Sequence, residues 1–190
     1  MENIINKLII TYENVLSDKL CDDIINKFNN NTINNTINNI HNETCNLSFL
    51  QIDTNSNDTW KEIDLLISNI ISEYTNQYRD YLYKLIQIFP YEMLSDKGYT
   101  ICQYKKNTGF HNLKHNLIWN ESVTILSFMF FLNTIDEDGE IEFTHGSKIN
   151  PKKGNLIIFP ATWDNTYKQN ISTKYDKYII TGDLYYKYEF

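Results

Sequence analysis

Alanine and arginine are almost missing from this 190-residue chain: Ala161 and Arg79 stand alone, beside six glycines and three prolines. The surplus lies in 26 asparagines and 27 isoleucines. Isoleucine, asparagine, lysine and tyrosine have A/T-rich codons, and those of alanine, glycine, proline and arginine mostly are not. An A/T-rich genome, as in a phage, a large virus or certain protists and bacteria, accounts for the bias, so this shortage excludes no function. Other absences do exclude. Basic residues number 17 against 24 acids, a net charge of −7, so no basic surplus exists to neutralise a phosphate backbone, and nucleic acid is not an expected partner. No apolar run reaches the ~18 residues of a membrane span. The longest, around 125–132, is interrupted by Ser127, and no membrane association is expected. The first twelve residues carry a single early lysine, Lys7, and no small-residue cleavage site, which argues against a signal peptide. Cys21, Cys45 and Cys102 are odd in number and scattered without a CxxC. They suit neither a disulfide framework nor a zinc site, which points to a reducing compartment and a cytoplasmic location (the host cytoplasm if virus-encoded).

What is present is enough for a core: 42% hydrophobic and 14% aromatic residues exclude a disordered chain. The expected organisation is one domain over 1–190. Residues 7–12 read as a strand, and Ser17 as the N-cap of a helix over 18–28 with Leu20, Ile24 and Phe28 on one face. The Asn-rich stretch 29–46 reads as a solvated loop. Residues 58–88 repeat apolar side chains every three or four positions, from Trp60 through Ile67, Ile71 and Tyr78 to Leu85, which predicts a helix of roughly 45 Å with a break inside it. From 98 onward short β-rich runs alternate with turn signals: 99–104, 125–132, 141–143, 156–159 and 178–186. Helices first and strands after predict an α+β fold, with residues 1–97 as strand and supporting helices and 98–190 as a β-sandwich or jelly-roll core.

The C-terminal half resembles the 2-oxoglutarate/Fe(II) dioxygenases of the prolyl 4-hydroxylase type, in the short form found in phage and large-virus genomes. The resemblance is carried by Tyr104-Lys-Lys-Asn-Thr-Gly-Phe-His-Asn-Leu-Lys-His-Asn116, Leu126-Ser-Phe-Met-Phe-Phe-Leu-Asn133 and Asp138-Gly-Glu-Ile-Glu-Phe143. It continues through Ile149-Asn-Pro-Lys-Lys-Gly-Asn-Leu-Ile-Ile-Phe-Pro-Ala161 and Asp176-Lys-Tyr-Ile-Ile-Thr-Gly182. It implies a double-stranded β-helix, an eight-stranded jelly roll with the site inside its mouth. It also implies iron held by His-x-Asp/Glu on one strand and a second histidine on a later one. The i, i+2 spacing suits a strand because both side chains point the same way.

The ligands themselves are missing. Aligned without gaps, the first histidine falls on Lys114, the acid on Asn116 and the later histidine on Asn165. Lysine offers a cation and no lone pair, so the expectation is a scaffold that has lost its iron: a non-catalytic binding module with no required cofactor. The resemblance also places Lys177 where the distal carboxylate of 2-oxoglutarate would be paired, with Tyr104 and Thr181 beside it. A small dicarboxylate, a peptide or a protein are the partners this suggests. Other readings stand beside these. Strand alternation would put Lys114 opposite a buried Leu113–Leu117 face, and, separately, the bland reading of Lys177 is an ordinary surface lysine. His111, His115 and His145 would instead rebuild a metal site, in which case the protein is an active hydroxylase using Fe(II) and 2-oxoglutarate.

Overall fold

The computed structural model describes residues 7–33, 38–41, 46–52, 60–86, 94–108, 118–119, 122–162 and 165–187. Strand β1 (Ile10–Tyr12) leads to helix α1 (Asp18–Ile33). The Leu20 N–H donates to Ser17 Oγ at 3.2 Å, the N-cap bond that the sequence predicts, and Asp18 lies in the first turn. Cys21, Ile24 and Phe28 are its buried stripe. The helix runs five residues further than predicted, into the Asn-rich stretch. Asparagine is a mediocre helix former, but an established helix adds a hydrogen bond for each residue it takes on. Residues 38–41 and 46 of that stretch are strand and not the predicted loop: β2 (Asn38–His41) pairs antiparallel with β3 (Asn46–Ile52). Leu47, Leu50 and Ile52 are buried, and this apolar content holds β3 in the sheet.

Helix α2 (Lys61–Ile86) is one unbroken helix of 26 residues, not the interrupted one predicted. It contains neither glycine nor proline, so nothing in it forces a kink. Ile67, Ile71, Tyr78 and Leu82 are buried along one side and Tyr83 is exposed on another. Among the described residues no helix is long and apolar enough to cross a membrane.

The remaining strands are β4 (Ser95–Asp96), β5 (Tyr99–Tyr104), β6 (Ile118–Trp119), β7 (Ser122–Phe131), β8 (Ile141–Phe143), β9 (Lys148–Ile149), β10 (Leu156–Pro160), β11 (Tyr167–Gln169) and β12 (Lys177–Lys187). The larger sheet has the order β1-β10-β7-β12-β5-β3-β2, with β4 against the end of β12 and β6 against the start of β7. The smaller has the order β11-β8-β9. The fold is α+β, with two antiparallel sheets face to face and the helices behind the larger. Four strands before residue 98, β1 to β4, belong to the larger sheet, so the division at residue 98 is not a division between helices and strands.

Layering explains the composition of each strand. Leu126, Phe128, Phe130 and Leu132 face the helices, packed with Phe28, Trp60 and Tyr78. Met129 and Phe131 face the small sheet, packed with Ile141, Phe143, Ile157, Phe159 and Ile179. A strand covered on both faces reads as a continuous apolar run, as β7 does. The small sheet has one wet face, so β8 alternates: between Ile141 and Phe143, Glu142 points out to Lys168 (3.1 Å) and Lys148 (3.6 Å).

Gly154 locks the start of α1 to this sandwich. Its N–H donates to Phe131 O (2.8 Å), and its carbonyl accepts from the N–H groups of Val15 (2.8 Å) and Leu16 (3.0 Å). Its φ is +81°, and an added Cβ would sit 2.4 Å from Leu16 O. Gly154→Ala should therefore cost about 2–4 kcal/mol, from left-handed strain plus displacement of that carbonyl. Urea unfolding with an unchanged m-value and a lowered midpoint checks it.

Candidate functional site

The inner face of β12 carries Lys177, Ile179, Thr181 and Asp183 at alternate positions, the same parity as the buried Ile179 of the inter-sheet core. Lys177 begins this column and is not on the surface: only 1% of it is exposed. Its register partner on β5 is Tyr104, whose ring centroid lies 5.5 Å from Nζ. Nζ donates to Gly139 O (2.9 Å) and Asn170 O (3.3 Å), the chain segments that flank the small sheet. Burial brings its pKa down to about 7, with the charge of Glu140 opposing the shift. Tyr104 is itself buried, and neighbouring Cys102 has its thiol pushed up to about 12 by burial.

Thr181 and Asp183 lie toward the other end of the sandwich. Six strand residues separate Lys177 from Asp183, on the order of 20 Å. Thr181 Oγ1 donates to Phe128 O (3.2 Å). Asp183 Oδ1 accepts from Ser127 Oγ (2.6 Å), and Oδ2 from the Tyr185 hydroxyl (3.5 Å). A register shift between Leu184 and Tyr185 accompanies this contact. From the small sheet, the Tyr167 hydroxyl bonds the Thr181 side chain and is pushed up by burial and by the charge of Asp183. Between the two ends the interior is filled. Phe143, Phe159 and Tyr167 meet with ring centroids 5.1–5.8 Å apart, spacings of direct ring-to-ring packing.

Asn165 is 1% exposed. Its Nδ2 donates to Thr162 Oγ1 (2.9 Å), and its Oδ1 is buried without a partner. Gln169 Oε1 and both ring nitrogens of His145 are also buried and unpartnered. A buried polar atom left unsatisfied costs about 1–3 kcal/mol, so four of them approach the whole stability of an ordinary domain. Asn165→Leu should then raise the stability of the ligand-free protein by about 1 kcal/mol, the gain from removing Oδ1 exceeding the lost bond to Thr162. Thermal and urea unfolding of the purified variant test this.

No sequence-family profile and no curated protein matches the chain. Solved structures do. The viral collagen prolyl hydroxylase of Paramecium bursaria Chlorella virus-1, in its 2OG complex, superposes with a TM-score of 0.64 over 96% of this chain and 98% of its own, at 14% identity. A Pseudomonas putida prolyl-4-hydroxylase gives 0.63 over 93% and 91%, at 11% identity. The chain has a prolyl 4-hydroxylase fold. A third example, a Trichoplax adhaerens prolyl hydroxylase in complex with a hypoxia inducible factor oxygen degradation domain peptide, gives 0.66 over 96% and 87%, at 13% identity.

A prolyl 4-hydroxylase fold implies iron, and the described residues do not fit it. At Asn165, where the resemblance places the later histidine, the amide nitrogen is tied to Thr162, and amide oxygen is a poor substitute for imidazole. Among the described residues no three His, Cys, Asp or Glu side chains converge on one point. Lys114, Asn116, His111 and His115 lie outside the described residues. The structure therefore brings Lys177 and Tyr104 together and sets Thr181 two inner-face positions away from Lys177, while Asn165 is held by Thr162 and the His145 ring lies against Phe143. Sequence reasoning missed the Ser127–Asp183–Tyr185 cluster and Gln169. Alternation along 177–185 was the available signal for Asp183, because it puts that acid on the same face as Lys177.

Proposed function

We propose that the protein is a double-stranded β-helix of the 2-oxoglutarate/Fe(II) dioxygenase type that has lost iron chemistry and acts as a binding module, with no cofactor required. Asn165 carries this reading: the one former ligand position among the described residues is a buried amide engaged with Thr162. The filled interior around Phe143, Phe159 and Tyr167 supports it, as does Lys177, whose ammonium or amine already donates to two carbonyls. A dicarboxylate reaching Lys177 and Tyr104 has to displace those bonds. A peptide is the favoured partner class, since one structural neighbour is a hydroxylase with a bound peptide fragment.

The expected outcome for protein purified with added Fe(II) is no stoichiometric iron and no conversion of 2-oxoglutarate to succinate. Iron at one per chain together with succinate release overturns the reading. A second reading, an active hydroxylase with His111, His115 and His145 as ligands, is favoured by one observation, the two unpartnered nitrogens of His145. Metal analysis of His115→Ala separates the two, because only the second reading loses bound metal. Calorimetry with 2-oxoglutarate, with and without Lys177→Met, separates a retained anion site from a closed one.

A further inference from the structure

A cleft of about 400 Å3 opens beside the Gly154 anchor of α1, outside the inter-sheet core. Three segments line it: residues 13–14 before α1, 134–136 after β7, and the turn 150–155 between β9 and β10. Cross-bonds between them fix its shape. The Ile135 N–H donates to Pro151 O (2.9 Å), the Lys153 N–H to Thr134 Oγ1 (3.0 Å) and the Asn14 N–H to Asn155 Oδ1 (3.1 Å). Lys177, Tyr104, Thr181 and Asn165 take no part in the lining.

Asn155 is the buried polar residue of this cleft, only 5% exposed. Its backbone N–H donates to Lys152 O (3.0 Å), its carbonyl accepts from the Phe131 N–H (3.0 Å), and Oδ1 is taken by Asn14. Nδ2 alone has no partner among the described residues, and it is not sealed off from solvent. An open donor on a buried residue costs stability until an oxygen accepts from it. At the rim, Glu13 and Asp136 are exposed carboxylates without an ion pair among the described residues. Of the two lysines in the lining, Lys153 holds Asp22 Oδ1 at 2.7 Å, which leaves Lys152 uncommitted. The rim therefore sets two carboxylates against one free cation.

We propose that this cleft binds a ligand with an ammonium group beside a carbonyl oxygen, the chemistry shared by a peptide amino terminus and a free amino acid. The carbonyl accepts from Asn155 Nδ2, and the ammonium lies between Glu13 and Asp136. This is a second site, outside the interior that the proposed function concerns, and it stands whether or not iron has been lost. Charge and donor inventory select the class. An ammonium has donors and no acceptor, which suits two carboxylates. A phosphate would be repelled by both. A bare divalent cation would meet the N–H groups of Asn155 at the floor, and it needs about six oxygens. An apolar compound would find only Ile135 and Pro151. The volume is at the small end of ligand pockets, roughly 300–1,000 Å3, so both groups come from one or two residues.

The test follows the 1H–15N amide signals of the full chain. The Asn155 side-chain pair is assigned by its loss in Asn155→Asp, which keeps the acceptor for the Asn14 N–H. The probes are glycylglycinamide, glycine, N-acetylglycinamide and inorganic phosphate. Glycylglycinamide or glycine should shift the Asn155 pair and the backbone signals of residues 134–136 saturably. The double variant Glu13→Gln/Asp136→Asn, changed only at exposed side chains, should bind about tenfold more weakly, and Lys152→Gln within about threefold of the wild type. Should Asn155→Asp fail to fold, the backbone signals of residues 134–136 decide. Glycine binding as tightly as glycylglycinamide names the free amino acid as the source, and binding of glycylglycinamide alone names the peptide terminus. N-acetylglycinamide binding equally well shows that no ammonium is read, and saturation by phosphate shows an anion site. Either result overturns the inference, as does an unchanged affinity in the double variant or no saturation by glycylglycinamide and glycine.

Discussion

Lys177→Met should be more stable than the wild type at pH 6, and the difference should shrink by about 1 kcal/mol for each pH unit between 7 and 9. Lys177 is buried and its pKa stands at about 7, against an ordinary value of 10.5. Below pH 7 both folded and unfolded chains hold the proton, and the folded state carries the full cost of a buried ammonium. At 1.36 kcal/mol per pKa unit that cost is about 5 kcal/mol. Between pH 7 and 10.5 the unfolded chain holds a proton that the folded chain has released, so stability rises with pH. The Tyr104 ring at 5.5 Å and Glu140 both favour the ammonium, yet burial outweighs them. Methionine matches the length of the apolar stem and cannot titrate. Its own cost is the loss of the bonds to Gly139 O and Asn170 O, about 1–3 kcal/mol for each carbonyl left without a donor. The balance favours the variant at pH 6 and turns near or above pH 8.

Other groups bend the wild-type curve the opposite way at higher pH. Burial pushes the thiols of Cys21 and Cys102 up to about 11 and 12, so above pH 9 the folded chain keeps protons that the unfolded chain has lost, and stability falls. The wild type should thus be most stable between pH 8 and 9. The difference between wild type and variant cancels the cysteines and isolates the lysine. Urea midpoints at pH 6, 7.5 and 9 give it directly. A difference that stays constant within 0.5 kcal/mol means that Lys177 titrates like a solvated lysine.

Much of this architecture was legible before any coordinates because the periodicities are physical. The stripe from Trp60 to Leu82 spells a helix, and the runs 99–104 and 141–143 are the strands Tyr99–Tyr104 and Ile141–Phe143. Six strands were not read from the sequence: Asn46–Ile52 and Tyr167–Gln169 are two of them, and the other four escaped for identifiable reasons. Asn38–His41 carries almost no apolar signal and is a strand only because β3 lies beside it. Ser95–Asp96, Ile118–Trp119 and Lys148–Ile149 are two residues long, shorter than any period. The absence of a break in α2 followed from the lack of glycine and proline within 61–86, a sign that length alone obscured. The site divides in the same way. The resemblance assigns Lys177 and Tyr104 to one carboxylate site, and the register sets the two residues opposite each other. Phe143 opposite Tyr167 depends on the register of β8 and β11, two strands of three residues each, and sequence spacing alone does not fix that register.

The triple variant Lys114→His, Asn116→Asp, Asn165→His should bind Fe(II) or Mn(II) at least about 10³-fold more tightly than the wild type, and should still not turn over 2-oxoglutarate. Losing an outer-shell partner costs a metal site about 10–100-fold, so three inner ligands, each worth no less, give this lower bound. The expectation rests on the resemblance, which assigns 114 and 116 the i, i+2 spacing that on a strand aims two side chains the same way, and on the burial of Asn165. Each single replacement should bind weakly, since one added donor completes no face. Turnover needs more than the metal. Lys177 remains tied to Gly139 O and Asn170 O, and Phe143, Phe159 and Tyr167 stay packed on one another between the sheets. Calorimetric titration with Mn(II), beside a succinate assay with Fe(II), reads both halves of the prediction. A folded triple variant with wild-type metal affinity would show that the ligand positions lie elsewhere in the chain. Metal binding with rapid succinate release would show that the bonds of Lys177 yield to a dicarboxylate. The barrel would then be a closed form of an oxygenase site, lacking nothing but its ligands.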